Sequence, residues 1–174
     1  QGSTNTLQGS QNTLAGNLNT VIGNKNGVIG NANTLIGSNN NAYGTSNSIL
    51  GNFNTASGLS NTIVGTANLP AGTGNSAIGT GNVAIGNANS LFGASNTAVG
   101  CSNTAIGAGN TILGAGNLAY GNTNNIQGSV NTVIGNNNLA AGNVNTIFGS
   151  TNTVAGNCNT VAGSTNTILG SVNQ

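Results

Sequence analysis

Very few side chains in this sequence are equipped for acid–base, nucleophilic or metal chemistry. The chain has one cation, Lys25, two thiols, Cys101 and Cys158, and no Asp, Glu or His in 174 residues. Without an imidazole or a carboxylate there is no general base of ordinary pKa, no serine triad and no carboxylate pair. Two distant cysteines without histidine do not make a zinc site. Calcium rolls of the RTX kind need an Asp in every turn, and a phosphate loop must open a helix. The residue types therefore predict a chain that is not an enzyme and holds no cofactor or metal. A net charge of +1 gives no field for nucleic acid or anionic lipid. No run approaches the ~18 apolar residues of a membrane helix, so neither nucleic-acid binding nor membrane insertion is expected.

What is abundant is spacing. Gly recurs every seven residues from Gly2 to Gly170, and Asn every seven from Asn5 to Asn173, without a miss. Segments such as Asn131-Thr132-Val133-Ile134-Gly135-Asn136-Asn137 set the pattern. Only a backbone that repeats geometrically imposes such a rule. A coiled coil is excluded, because Gly and Asn in every heptad would destroy a helix. The alternative is a short strand, Asn-Thr-Val-Ile, followed by a turn for which Gly supplies a positive φ. Two heptads then make a flattened coil of about 14 residues, and stacked coils make two parallel sheets face to face. The expected fold is an all-β parallel β-solenoid, a two-sheet β-roll. One domain, residues 1–174, of about 12 coils and no caps is expected, because the pattern runs unbroken and no linker is visible.

Strand alternation fixes what points where. The apolar residue two before Gly should point inward, from Leu7 and Leu14 through Val21, Leu35 and Ile49 to Ile168. Large and small residues alternate there in successive heptads, as in Leu35 with Ala42 and Ala105 with Ile112, the volume compensation that a thin shared core needs. The Asn two residues earlier should also point inward. Stacked at the ~4.8 Å strand spacing, each amide can donate to the Asn carbonyl in the next coil. Asn19, Asn33, Asn61, Asn103, Asn131 and Asn159 represent this expected structural ladder. Pro70, the only proline, has no N–H for the sheet and should mark a local defect. With Leu69, Gly74 and Gly81 it reads as one irregular region.

The two outward faces differ. One carries Thr20, Thr34, Thr62, Thr104, Thr132 and Thr146 in a column whose one exception among twelve positions is Leu118. Beside it runs an apolar column including Ile22, Ile36, Val64, Ile78, Phe92, Ile106, Tyr120, Ile134 and Phe148. On the other face the Thr column is broken by Gly27, Asn41, Leu69, Val83, Asn125 and Leu139. The core demands neither column, so a long apolar ladder on a regular face marks an interaction surface. The two cysteines sit in the turns after Gly, about four coils or ~19 Å apart at the strand spacing. That is too far for a disulfide within one subunit, while a bond between subunits stays open. No Asn has Ser or Thr two residues on, so there is no N-glycosylation sequon.

Two families share these motifs. Ser129-Val130-Asn131-Thr132-Val133-Ile134-Gly135 and Ser150-Thr151-Asn152-Thr153-Val154-Ala155-Gly156 resemble the plant ice-recrystallisation-inhibition repeat of ryegrass-type antifreeze protein. That resemblance implies a left-handed β-roll that binds ice through a flat Thr/Ser-rich face. Asn82-Val83-Ala84-Ile85-Gly86 and Asn103-Thr104-Ala105-Ile106-Gly107 resemble the head repeat of YadA-like trimeric autotransporter adhesins. That resemblance implies a roll whose outward apolar residues pack against sister chains. This chain departs from the first in having Ile, Phe and Tyr where an ice face prefers Thr or Ser, and from the second in lacking charges.

The sequence thus predicts a secreted structural protein whose partner is itself. Its rolls would stack end to end and pair through the Thr/Ile face into an extracellular or cell-surface fibre. The opening Gln1, with neither a leading Met nor a signal peptide, agrees with a processed secreted product. The alternative is an ice-binding protein using the Thr column, and a further one is an adhesin head.

Overall fold

Five of every seven residues, from the Thr to the residue after Gly, are extended, as in the strands Thr34–Ser38 and Thr132–Asn136. The remaining two, one residue of variable type and the Asn, make the corner. In the computed structural model, which describes residues 2–174, this pattern yields twenty-four short strands and no helix among the described residues. Within each of the compact units described below, strands pair in parallel with the strand fourteen residues on, so like stands on like: Thr20 on Thr34, Val21 on Leu35, Gly23 on Gly37. The fold is a parallel β-solenoid of two sheets with about 14 residues per coil and about 12 turns. The chain divides into two compact units, one running to Ala88 and the other starting at Asn89. Within each unit, alternate strands lie in opposite sheets, giving six coils per unit.

The core lies where alternation placed it. Val21, Val28, Leu35, Ala42, Ile49, Ala56 and Ile63 form a continuous buried cluster in the first unit. Leu91, Ala98, Ala105, Ile112, Ala119 and Ile126 are fully buried in the second. Each large side chain so removed from water contributes of order 1.5–3 kcal/mol before entropy is subtracted. The inward assignment fails at the first coil, where Leu7 is 53% exposed. Its strand, Thr6–Gln8, pairs on one edge only, with Thr20–Asn24, so no neighbour covers it from the other side. Leu14 and Ile168 are half-buried for the same reason.

The recurring Gly does not make the turn; it lies inside the strand. Gly37 has φ +132, and a Cβ built there would stand 1.8 Å from the carbonyl oxygen of Gly51 in the next coil. A methyl group at that point would force successive coils apart. The period of seven in Gly is therefore a contact rule between backbones as well as a dihedral rule. The turn is made two residues later, by a residue in the left-handed region with φ near +60, which the heptad pattern did not reveal. Leu18, Lys25, Phe53, Val130 and Val144 all adopt it. For non-glycine residues this costs roughly 1–2 kcal/mol each. It places the N–H where the preceding coil can accept it, as Phe53 N to Ser38 O at 3.1 Å and Val130 N to Ala115 O at 2.9 Å.

Gly74, Gly81, Gly109 and Gly116 occupy this left-handed position, all with φ of 65 or 66. Gly74 and Gly81 are therefore not signs of irregularity; they are the residues best suited to their corner. Pro70 produces a smaller defect than expected. The strand Leu69–Thr73 keeps full register with Val83–Asn87, but towards the preceding strand Thr55–Leu59 pairing begins only at Ala71. The missing N–H of Pro70 removes a bond on one side while the ring itself is buried in the core.

This geometry separates two glycines two residues apart. Gly107→Ala would place its Cβ 1.9 Å from Gly121 O at φ +125, whereas at Gly109 the nearest atom to such a Cβ, Thr123 Oγ1, is 3.9 Å away. Gly107→Ala is expected to cost more than ~4 kcal/mol, in the range reserved for severe steric lesions. Gly109→Ala should cost only about 1–2 kcal/mol for the left-handed backbone. Chemical denaturation of the two variants checks the contrast; similar losses would refute the backbone-contact account.

Candidate functional site

The only polar side chains buried among the described residues are those of the recurring Asn. Asn103 shows how each is satisfied. Its Nδ2 donates to Asn89 Oδ1 at 3.0 Å in the preceding coil and to Gly114 O at 2.8 Å in the next. Its Oδ1 accepts from the backbone N and Nδ2 of Asn117, both at 3.1 Å. One amide thus joins three coils. The same set recurs at Asn33 and Asn131. Asn19, Asn61 and Asn159 belong to the same ladder. Among the described residues, no buried side-chain nitrogen or oxygen lacks a partner. The ladder was expected, but with donors reaching towards the next coil; the Asn-to-Asn donors reach back to the preceding one, and the forward donation goes to Gly carbonyls.

A second, outer ladder escaped the sequence reading. Ser10 N donates to Asn24 Oδ1 at 2.9 Å, and Asn122 N to Asn136 Oδ1 at 2.9 Å. Ser129 N and Asn143 N likewise donate to Asn143 Oδ1 and Asn157 Oδ1. The signal was present, since Asn often follows Gly immediately, but the column is broken by Ser, Thr and Ala and reads as ordinary turn composition.

The regular outward face is present in each unit. In the first, Thr20, Thr34, Ser48, Thr62 and Ser76 stand in register, with Ile22, Ile36, Leu50, Val64 and Ile78 beside them. In the second, Ser90, Thr104, Leu118, Thr132 and Thr146 do the same, with Phe92, Ile106, Tyr120, Ile134 and Phe148 beside them. The apolar column is open to solvent, with Tyr120 54% and Phe148 45% exposed, while Ile22, Ile78 and Ile106 are half-buried. Large apolar residues are exposed on the opposite face too, among them Ile29, Tyr43 and Leu113. What distinguishes the first face is an outer hydroxyl column with a single interruption, Leu118. Lys25 lies in the first unit, so no formal side-chain charge lies on either face of the second. Cys101, the last residue of the strand Thr97–Cys101, and Cys158, at a left-handed corner, are exposed free thiols of the second unit.

No protein-family model matches the chain, and no curated protein matches it.

The ladder predicts the effect of its own interruption. Asn103→Ala orphans the Asn117 N–H, one Nδ2 donor of Asn117 and the Gly114 carbonyl. At about 1–3 kcal/mol for an unsatisfied buried polar group, and with partial relaxation, the loss is expected to be roughly 2–5 kcal/mol. Asn122→Ala in the exposed outer ladder should cost well under half of that. Thermal and denaturant unfolding of both variants measures the difference, and equal costs would contradict the inner ladder's role.

Proposed function

We propose that this chain is a non-enzymatic, secreted structural protein that assembles with copies of itself into an extracellular or surface fibre. The observation that supports this most directly is the regular face: hydroxyl and apolar columns in register, open to solvent and without charge. A soluble surface usually carries a quarter to a third charged residues, which keep copies apart; 1% here leaves little to oppose contact. A flat apolar ladder on such a surface suits face-to-face pairing. The contact between one coil and the next is head-to-tail and repeats unchanged, which is the geometry of an open filament. End-to-end stacking of rolls would extend the same contact between chains.

A second reading, ice binding, is favoured by a different observation. Thr20 with Thr34 and Thr132 with Thr146 are in-register pairs on parallel strands, so their hydroxyls and methyls repeat at the strand spacing of ~4.8 Å. That periodic array is one that a crystalline water surface can match.

Two measurements separate these readings. Negative-stain microscopy of the purified protein should show fibres, and a variant with Ile36→Lys and Ile134→Lys should lose lateral pairing because each pair of facing columns gains like charges. Monodisperse particles from the unmodified chain would overturn the assembly reading. Ice-growth assays should show recrystallisation inhibition, abolished by Thr104→Tyr with Thr132→Tyr, only if the second reading holds.

A further inference from the structure

Along one edge of the second unit, the corners leading into the strands of the regular face carry an uncommon set of residues. Their left-handed positions are, in order, Ser102, Gly116, Val130, Val144, Cys158 and Val172, each fourteen residues from the next. Left-handed backbone is a poor setting for a β-branched residue, yet Val130, Val144 and Val172 adopt it with 60%, 52% and 77% of their surface exposed. The residues just before them are Cys101, Ala115, Ser129, Asn143, Asn157 and Ser171. Both cysteines of the chain therefore lie on this one edge, and both are exposed free thiols.

Their placement is symmetric. Cys101 stands two coils before Ser129, and Cys158 two coils after Val130, because each interval is twice the fourteen-residue coil. We infer that this edge joins two copies of the chain antiparallel, about a two-fold axis at the Ser129–Val130 corner, with Cys101 of each bonded to Cys158 of the other. In that arrangement Val130 meets Val130 of the second copy, and Val144 meets Gly116, a large residue against the smallest. Asn143 meets Ala115 in the same way. Cys101 and Cys158 of the second copy come to one level, offset diagonally by one residue. That offset is about 3.8 Å along a backbone, so edges that approach to about 5.6 Å or less bring the Cα atoms within the ~6.8 Å limit of a disulfide. A parallel pairing in register would set each cysteine at the level of its own counterpart, Cys101 with Cys101 and Cys158 with Cys158, and would lose the match of Val144 with Gly116.

The edge carries no charge, so nothing repels a second copy. It is also narrow: four coil spacings of ~4.8 Å, one corner wide, give on the order of 200 Å² per copy, against about 800 Å² for a stable interface. Noncovalent contact alone does not hold such a dimer, and the disulfides are what make it persist. This surface is distinct from the regular face, so the inference does not depend on the assembly reading above.

The chemistry is thiol–disulfide exchange with a low-molecular-weight disulfide such as oxidised glutathione. One protein thiolate attacks it and releases a glutathione thiol. The facing thiolate of the other copy then attacks the mixed disulfide and releases the second. Each protein disulfide formed reduces one glutathione disulfide to two thiols, and two such bonds form per dimer.

The test treats the reduced protein with oxidised glutathione and reads covalent mass on denaturing, non-reducing gels. The chain should double in mass, and peptide mapping should show Cys101 linked to Cys158. Ser occupies equivalent corner positions elsewhere, at Ser129 and Ser46, so C101S and C158S will fold. Alone, neither variant should form the dimer, since in the antiparallel arrangement like cysteines lie four coils apart. Mixed together, the two variants should restore a dimer with one disulfide. No dimer from the unmodified chain, or dimers from either variant alone as readily as from the mixture, would overturn the inference.

Discussion

A carboxamide withdrawn from water must find partners for both its donors and its acceptor, and this fold is arranged around that demand. Each inner Asn meets it only by reaching the coil before and the coil after, as Asn103 does with Asn89, Gly114 and Asn117. Neighbouring coils must therefore sit at one height and in one register. That register sets Val upon Leu in the core and brings the Gly37 backbone against Gly51 too closely for any side chain. A buried amide that loses a partner costs about 1–3 kcal/mol, so slipping by one residue is penalised at every level of the stack. Apolar burial supplies much of the driving force; the amides supply the uniqueness.

Much of this was legible in the sequence because the constraint repeats. A column that admits only Asn or only Gly announces a backbone requirement, and strand alternation converts it into an inside and an outside. Val21, Leu35 and Ile49 could be placed in the core by that rule alone. The pattern was less informative where a position tolerates many residues. The left-handed corner accepts Leu18, Lys25, Phe53 and Val130 alike, because its requirement is a backbone angle and not a side chain, so composition hides it. For the same reason Gly was assigned to the turn when it lies in the strand. Pro70 was expected to disturb a region, yet only one of its two neighbours depended on its N–H.

The outward columns stand apart from this logic. Nothing in the coil geometry requires Thr132 and Ile134 rather than other extended-chain residues, and the opposite face manages with Gly27, Asn41 and Leu139 at the equivalent positions. The composition of the regular face is therefore free of the constraints that fix the inside of the coil. The sequence singled out the residues of this face, and a hydroxyl column beside an apolar one suits both a neighbouring roll and an ordered water lattice.

The direction of the inner ladder has one more consequence. Within each unit the side-chain carbonyls of inner asparagines such as Asn33, Asn103 and Asn131 point towards the later coil, where the backbone and side-chain amides of the following inner Asn meet them. Their dipoles add instead of cancelling, so the inner ladder has a sense, like an arrow, while the sparser outer carbonyls point the other way. One end presents accepting oxygens and the other presents donating nitrogens. Two such columns can be joined tip to tail, but not tip to tip, without leaving like groups opposed. The asparagine that fixes the height of a coil thus also gives its ladder a heading.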